Sequence, residues 1–504
     1  MTLIENIKRG AREYPERIAY IFQDMQVTYG ELYQQAKSTA AYLSAKGIGK
    51  GDYVALLLGN SPHFVISYYG VLLSGAAVVP INPIYTPKEI MYILHNSRAQ
   101  LAIAAAPLLP VFEGIKQQLA DLREVVLVGG DGEHTWVTPF DKLIAHSSQG
   151  WQGPKLQGDD LAVILYTSGT TGQPKGAMLT QRNMASNADA IAEYLCVAGE
   201  DIFVTVLPMF HVFCMTVCMN APIAIGATML ILPKFSPTDV VEAIKTHQAT
   251  VFAGVPTMYN FIMQTPDVSV EALASLRICI SGGASLPVAL LHNFEKKFGK
   301  VISEGYGLSE AAPVTAFNPV QGVRKPGSIG VNIPGVENKI VDAEGEELAR
   351  GQVGELIVRG PNVMKGYLNM PEETSRTLQD GWLYTGDMGY MDEDGYIFIV
   401  DRKKDMIIVG GYNVYPREVE EVLYEHPQII EAAVIGVPDE NVGEAVQAYV
   451  VSRDPSLTAE ELIAYCQSGL AKYKVPSKII FIEELPKNTT GKILRRALRD
   501  IVLK

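Results

Sequence analysis

Short apolar runs, bounded by glycine or proline and separated by stretches of helical spacing, recur through roughly the first 320 residues of this chain. Residues 53–58 (YVALLL) lie between Gly51 and Gly59, and residues 75–80, 101–104, 124–128 and 161–165 repeat the pattern. Residues 29–43 and 64–73 carry helical spacing between them. A strand without a polar face needs cover on both sides, and intervening helices supply it. The pattern therefore dictates layered, mostly parallel α/β structure.

Beyond residue 320 the grammar changes. Strands shorten, and tight acidic turns such as Asp342-Ala343-Glu344-Gly345 and Asp392-Glu393-Asp394-Gly395 separate them, which predicts a small antiparallel sheet or β-barrel-like subdomain. The charge run Asp401-Arg402-Lys403-Lys404-Asp405 ends that pattern. After it come a helix over 416–425, a strand over 430–437 and a helix over 459–470, which form an α+β unit of ordinary small-domain size. The expected organisation is a large N-terminal α/β domain, residues 1–401, and a smaller mobile α+β domain, residues 402–504, with a hinge near 401–405.

With 42 basic and 55 acidic side chains the net charge is −13, which argues against a nucleic-acid binder needing a positive footprint. The last 18 residues run the other way, with six basic groups and one acid, so this tail can either dock over an anionic ligand or form a solvated amphipathic helix. Five scattered cysteines without a CxxC pair read as reduced thiols, and the charged N-terminal stretch has no apolar signal core; both point to the cytoplasm. Residues 210–232 lack a formal charge over 23 positions, enough to span a bilayer. His211, Asn220, Pro222 and Gly226 within them favour a buried helix followed by a core strand.

The richest chemistry lies in Tyr166-Thr167-Ser168-Gly169-Thr170-Thr171-Gly172-Gln173-Pro174-Lys175-Gly176, directly after the apolar run 161–165. Hydroxyls and backbone N–H groups can donate to phosphate oxygens, glycines permit close approach, and the lysine adds charge. It is not a Walker A loop, because Pro174 stands where that motif needs its second glycine. A Ser/Thr/Gly-rich turn alone is more often a plain loop; the preceding strand and the terminal lysine favour a phosphate site.

This segment resembles the phosphate-loop signature of the adenylate-forming superfamily of acyl-CoA synthetases, aryl-CoA ligases, luciferases and peptide-synthetase adenylation domains. The other signatures follow in the family's order: Pro208-Met209-Phe210-His211-Val212-Phe213, Ser281-Gly282-Gly283-Ala284, Glu304-Gly305-Tyr306-Gly307-Leu308-Ser309-Glu310, Tyr384-Thr385-Gly386-Asp387, the 401–405 run with Gly410-Gly411-Tyr412, and Pro486-Lys487-Asn488-Thr489-Thr490-Gly491-Lys492. The resemblance spans essentially the whole chain and is nearest to bacterial long-chain fatty-acid–CoA ligases. It implies ATP, Mg²⁺ and coenzyme A as reaction partners, and a carboxylate activated as acyl-AMP before transfer to the CoA thiol.

The resemblance also assigns roles. Thr167, Ser168, Gly169, Thr170, Thr171, Gly172 and Lys175 would hold the triphosphate, with Thr170 among the catalytic groups. Gly283, Ala284 and Tyr306 would form the adenine slot, Glu304, Gly305, Gly307 and Ser309 would also belong to the ATP/AMP site, and Asp387 with Arg402 would bind the ribose. Glu310 would ligate Mg²⁺, a hard cation suited to carboxylate, water and phosphate oxygens. Ser309 replaces the family's more usual threonine and keeps its hydroxyl. Lys492 would be the catalytic lysine of adenylation, placed where negative charge accumulates. His211 would touch the substrate carboxylate, and Phe213 and Gly307 would shape the acyl pocket. Acetate-specific relatives place tryptophan at the Gly307 position, so the glycine implies a longer acyl tunnel. Lys404 matches the hinge of the mobile domain, and Gly410 and Gly411 the edge that passes pantetheine in the second half-reaction.

The favoured substrate is a medium- to long-chain fatty acid, with an aryl acid as the alternative. The aspartate of amino-acid-activating members has no counterpart in 210–213, and the 18 residues between Tyr367 and Gly386 leave no room for the insertion of carrier-protein-loading members. A non-catalytic nucleotide binder is disfavoured because Glu310, Asp387, Arg402 and Lys492 are all present. Peripheral membrane association and a homodimer are both compatible with the sequence.

Overall fold

The computed structural model of the chain describes residues 2–130, 134–167, 173–266, 268–439, 441–488 and 491–502. Two large sheets dominate its N-terminal part. In a nine-stranded sheet, Ile302–Gly307, Ile278–Ser281, Val251–Gly254, Ile202–Thr205, Thr228–Ile231 and Ile18–Phe22 run parallel in that spatial order, with antiparallel strands at the edges. An eight-stranded sheet is parallel from Leu161–Thr167 through Ala77–Pro80, Tyr53–Leu57 and Leu101–Ala105, and antiparallel where Lys175–Thr180 folds back on Leu161–Thr167. Every residue of strands Val251–Gly254 and Ile278–Ser281 is buried, as strands covered by helices on both faces must be.

Local chemistry sets the helix ends. Helix Tyr29–Ala45 begins where Thr28 accepts the Glu31 N–H and Glu31 returns the bond to the Thr28 N–H; Thr86 with Glu89 and Thr180 with Asn183 repeat the device. Residues 210–232 fold as a buried helical stretch, Cys214–Asn220 in wide π-type turns and then Ala221–Ile225, which stops at the left-handed Gly226 before the core strand Thr228–Ile231. Asn220 there meets the hydroxyls of Tyr69 and Tyr68 at 2.9 and 3.1 Å. Among the described residues no helix is long and apolar enough to cross a membrane.

The acidic turns join the strands of a five-stranded antiparallel sheet, Glu337–Val341, Gly354–Arg359, Trp382–Met391, Leu378–Gln379 and Ile397–Arg402. Arg402 is its last residue. After the turn at 403–406 the chain enters another sheet, Ile407–Val409, Tyr412–Val414, Gly443–Ser452, Ile429–Asp439 and Lys478–Phe481, with a separate core around Val419, Leu423, Val434, Ala448 and Leu462. The fold is thus α/β, a large N-terminal part followed by a smaller α+β C-terminal domain.

Candidate active site

Three elements deliver the polar centre. Asp387 on strand Trp382–Met391 stands opposite Arg402 on Ile397–Arg402, and Arg402 Nε lies 3.2 Å from Asp387 Oδ1. The hydroxyl of Tyr306, from the last parallel strand of the nine-stranded sheet, donates to Asp387 Oδ2. Asp387 is only 5% exposed, so its charge stands in low-dielectric surroundings with these two partners. Burial and the adjacent carboxylate push the Tyr306 phenol well above its usual range.

Lys492 reaches this centre from the C-terminal domain. A tight turn fixes its backbone: Asn488 N–H donates to the Lys492 carbonyl, and Lys492 N–H to Asn488 Oδ1, both at 2.9 Å. The preceding Gly491 has φ +81°, and a Cβ there would stand 2.8 Å from Thr257 Oγ1 and 3.1 Å from Val255 Cγ2 of the N-terminal part. Only glycine lets the loop lie this close. The flanks are anchored by ion pairs, Lys487 to Glu431 at 2.8 Å and Arg495 to both oxygens of Glu420 at 2.9 Å. Arg495 also reaches Asp401 Oδ1 at 3.3 Å. Desolvation first, and then the Arg402 guanidinium, lower the Lys492 ammonium from 10.5 to about 8, with Asp387 opposing. A cavity of about 850 Å³ opens along this seam between Phe235, Met258 and Phe261 on one side and Ile482, Leu485 and Pro486 on the other.

A second group lies at the phosphate end. Lys175 opens the strand after the glycine-rich loop and pairs in register with Thr167. Its ammonium forms an ion pair with Glu373 and sits 5.3 Å from the centre of the Tyr367 ring. The Tyr367 hydroxyl donates to Glu310 Oε1 at 2.9 Å. Tyr367 and Glu373 carry no signal in the sequence that ties them to Lys175 or Glu310; the fold brings them there by pairing Gly366–Tyr367 with Lys175–Thr180. Ser168, Gly169, Thr170, Thr171 and Gly172 lie outside the described residues. No cluster of three or more His, Cys, Asp or Glu capable of caging a metal occurs among the described residues. A single carboxylate such as Glu310 suits Mg²⁺, which takes most of its shell from water and substrate phosphates.

His211 follows Pro208, to whose carbonyl its N–H donates at 2.9 Å, and its Nδ1 accepts the Phe213 N–H at 3.3 Å. Burial, with a smaller push from the Lys492 charge, lowers its imidazole to about 4, so it is neutral at physiological pH. The Phe213 ring packs under the glycine turn, 3.2 Å from where a Gly282 Cβ would be. Gly283 holds φ +78° beside Val255, and Ala284 follows it half-buried.

Gly307 and Glu304 are both held by close packing. Gly307 does not mark empty space, because a Cβ there would stand 2.4 Å from the Pro313 carbonyl oxygen and 2.7 Å from its carbon. Its missing side chain serves backbone packing against the following turn, as Gly305 serves the Phe317 ring, 2.2 Å from its would-be Cβ. The Glu304 carboxylate accepts the Leu286 N–H at 3.0 Å, and its other oxygen is buried without a partner among the described residues. It braces the loop behind the slot. Burial raises it to about 7, with Arg417 opposing and Glu421 adding to the rise.

Lys404 stands near the centre and is lowered by burial and by Arg402. Ser309 begins a short helical turn with Glu310. Gly410 and Gly411 do not join the site; they form an exposed hairpin turn of the C-terminal sheet, with Gly410 N–H donating to the Val442 carbonyl at 2.7 Å.

Asp387 and Tyr306 thus share the Arg402 charge, Lys492 bears on them from the C-terminal domain, and Glu310 is joined to Lys175 through Tyr367. The AMP-binding enzyme family matches residues 7–368, and the AMP-binding enzyme C-terminal domain matches residues 418–492. This chain belongs to that family. It is 42% identical to a long-chain-fatty-acid–CoA ligase of Bacillus subtilis (strain 168), with 99% of this chain and 94% of the relative covered. Its structure matches that of the anthranilate CoA ligase AuaEII in complex with anthranoyl-AMP at a TM-score of 0.93 and 30% identity, covering 99% and 97% of the two chains. It matches ATP-bound MatB from Rhodopseudomonas palustris at 0.92, with 33% identity and 99% of each chain covered. The apo form of MatB matches at 0.82, with 34% identity over the same shares.

Proposed function

We propose that this protein is an ATP-dependent ligase that joins a medium- to long-chain fatty acid to coenzyme A. The observation that carries the chemistry is Lys492 within reach of the Asp387 and Arg402 charges, a cation brought from one domain to the Asp387–Tyr306–Arg402 centre in the other. The fatty-acid substrate rests on the 42% identity to the Bacillus ligase over nearly the whole chain.

In the first half-reaction the fatty-acid carboxylate attacks the α-phosphate of ATP, and pyrophosphate leaves. Asp387 accepts the ribose hydroxyls, Tyr306 flanks the adenine, and the 168–172 loop with Lys175 holds the departing phosphates. Lys492 stabilises the charge shared by carboxylate and α-phosphate, where fixed positive charge lowers the barrier most. Mg²⁺ at Glu310 would neutralise phosphate charge. In the second half-reaction the CoA sulfur attacks the acyl-adenylate carbonyl, forming the thioester and releasing AMP. Rotation of residues 402–504 about Lys404 would withdraw Lys492 and bring Gly410 and Gly411 to the pantetheine path. The better match to ATP-bound than to apo MatB supports reading the present arrangement as the adenylate-forming one.

The test is pyrophosphate release by purified protein with MgATP, with and without CoA, across C2–C18 fatty acids and aryl acids. A maximum between about C8 and C18 with CoA-dependent turnover is the expected result, its breadth reporting how weakly each methylene is discriminated. Turnover confined to aryl acids would move the substrate to the alternative class.

A further inference from the structure

Helix Pro416–Glu425 carries several of the contacts between the C-terminal domain and the N-terminal part. Arg417 is 9% exposed, and its guanidinium donates to the Ile399 carbonyl at 2.8 Å and to the Gly327 carbonyl at 3.2 Å. Its backbone N–H donates to Asp401 Oδ2 at 3.1 Å. One turn along, Glu421 lies 3.6 Å from Arg417 Nε and accepts the Val288 N–H at 3.3 Å. Val288 is the first residue of helix Val288–Phe298, whose N-cap Pro287 offers no side-chain acceptor, so Glu421 supplies from the other domain the cap this helix lacks.

Two of these contacts are close to the hinge in sequence, whereas Gly327 and Val288 are 90 and 133 residues from their partners. Any rotation of residues 402–504 about the 403–405 turn must break the distant pair. Arg417 and Glu421 are also the charged groups of the C-terminal domain that bear on buried Glu304, in the strand that carries Tyr306. Helix Pro416–Glu425 is tied in turn to the Lys492 segment, since Glu420 grips Arg495 three residues beyond Lys492.

We infer that Arg417 and Glu421 are positioning residues that latch the C-terminal domain in the adenylate-forming orientation, and so set how often Lys492 is in place. They touch neither nucleotide nor acid. The latch acts through the closed population: the adenylation rate scales with the fraction of molecules closed, while transfer from preformed acyl-adenylate to CoA does not require that orientation. The inference rests on the two-orientation reading of the mechanism, and the experiment separates the two.

Fatty-acid-dependent pyrophosphate release in a single turnover without CoA, and conversion of supplied acyl-adenylate plus CoA to thioester, are measured for Arg417→Met, Glu421→Ala, Glu421→Asp and Lys492→Ala. Glu421 is partly exposed, so its variants fold even if Arg417→Met does not. Adenylation is expected to fall about tenfold in Arg417→Met and Glu421→Ala, the scale of losing a hydrogen bond to a charged group. Glu421→Asp should recover part of it. Thioester formation should stay within about twofold in all three, and KM for ATP should move less than kcat. Unchanged adenylation in both latch variants, or parallel loss of both half-reactions while Lys492→Ala loses only the first, overturns the latch and leaves the two-orientation reading intact. Equal loss of both half-reactions in Lys492→Ala overturns that reading, and the latch with it.

Discussion

Arg402 and Asp387 face each other across paired antiparallel strands, Nε 3.2 Å from Oδ1, and the carboxylate's other oxygen takes the Tyr306 hydroxyl. One buried acid thereby joins the end of the final strand of the small sheet, Ile397–Arg402, to the last parallel strand of the nine-stranded sheet. Asp387→Asn keeps the shape but removes the charge that both donors use. Losing a charged hydrogen-bond acceptor costs about 1.5–3 kcal/mol. KM for ATP is therefore expected to rise about 10- to 100-fold, with the acyl-chain profile unchanged. A direct ATP-binding titration checks this, and unaltered affinity would remove Asp387 from the nucleotide site.

Tyr367 stands between the two ends of the phosphate site, its ring under the Lys175 ammonium and its hydroxyl on Glu310. Tyr367→Phe keeps the ring and deletes only the bond to the carboxylate, worth about 1.5 kcal/mol. The Mg²⁺ concentration that half-saturates ATP binding should rise about tenfold, while binding of free ATP stays constant. A Mg²⁺ titration of nucleotide binding, with no fatty acid present, measures both. Equal requirements in the two proteins would show that the tyrosine packs beside the metal ligand without orienting it.

How far the sequence reaches is clear from these residues. The strand-and-helix alternation, the buried 210–232 segment and the change to antiparallel strands past residue 320 were legible because apolar runs and glycine turns are local signals. The roles proposed for Asp387 and Lys492 rest on ordered motifs, not on any property of one aspartate or lysine. Tyr367 was not legible, since it meets a carboxylate 57 residues away through an edge-strand pairing that no periodicity marks. Arg495 and Glu420 carry no local signal of each other, yet Arg495 meets both oxygens of Glu420 at the base of the Lys492 segment. The surroundings of Gly307 were hidden for a related reason. The absence of a side chain was visible in the sequence, but what fills its place depends on where the chain returns at Pro313.

That geometry bears on position 307. Any side chain there requires the Pro313 backbone to shift, because a Cβ would stand 2.4 Å from Pro313 O. Gly307→Ala is expected to cost about 1–3 kcal/mol of stability, the usual penalty of overpacking where backbone must yield. Its residual activity should keep the wild-type acyl profile. Thermal melting together with the chain-length panel tests this; a stable Gly307→Ala protein with a shortened profile would restore the glycine to the acyl pocket.

The Lys492 ammonium, lowered from 10.5 to about 8 by desolvation and by Arg402, gives adenylation and stability opposite pH dependences. Adenylation needs the charged form, so kcat/KM for pyrophosphate release should fall as pH rises through about 8. Lys492→Arg should move that limb beyond the accessible range, since guanidinium stays charged. For stability the sign is the reverse. The unfolded chain holds this proton up to 10.5 and the folded chain only to about 8, so folding is penalised below about 8 and the penalty disappears as pH approaches 10.5. Lys492→Met should therefore melt at a higher temperature than the parent at pH 7, and the gap should close by pH 10.5. Melting curves at the two pH values decide it, and a variant less stable than the parent at pH 7 would show that the lysine is held by attraction, with its charge welcome there.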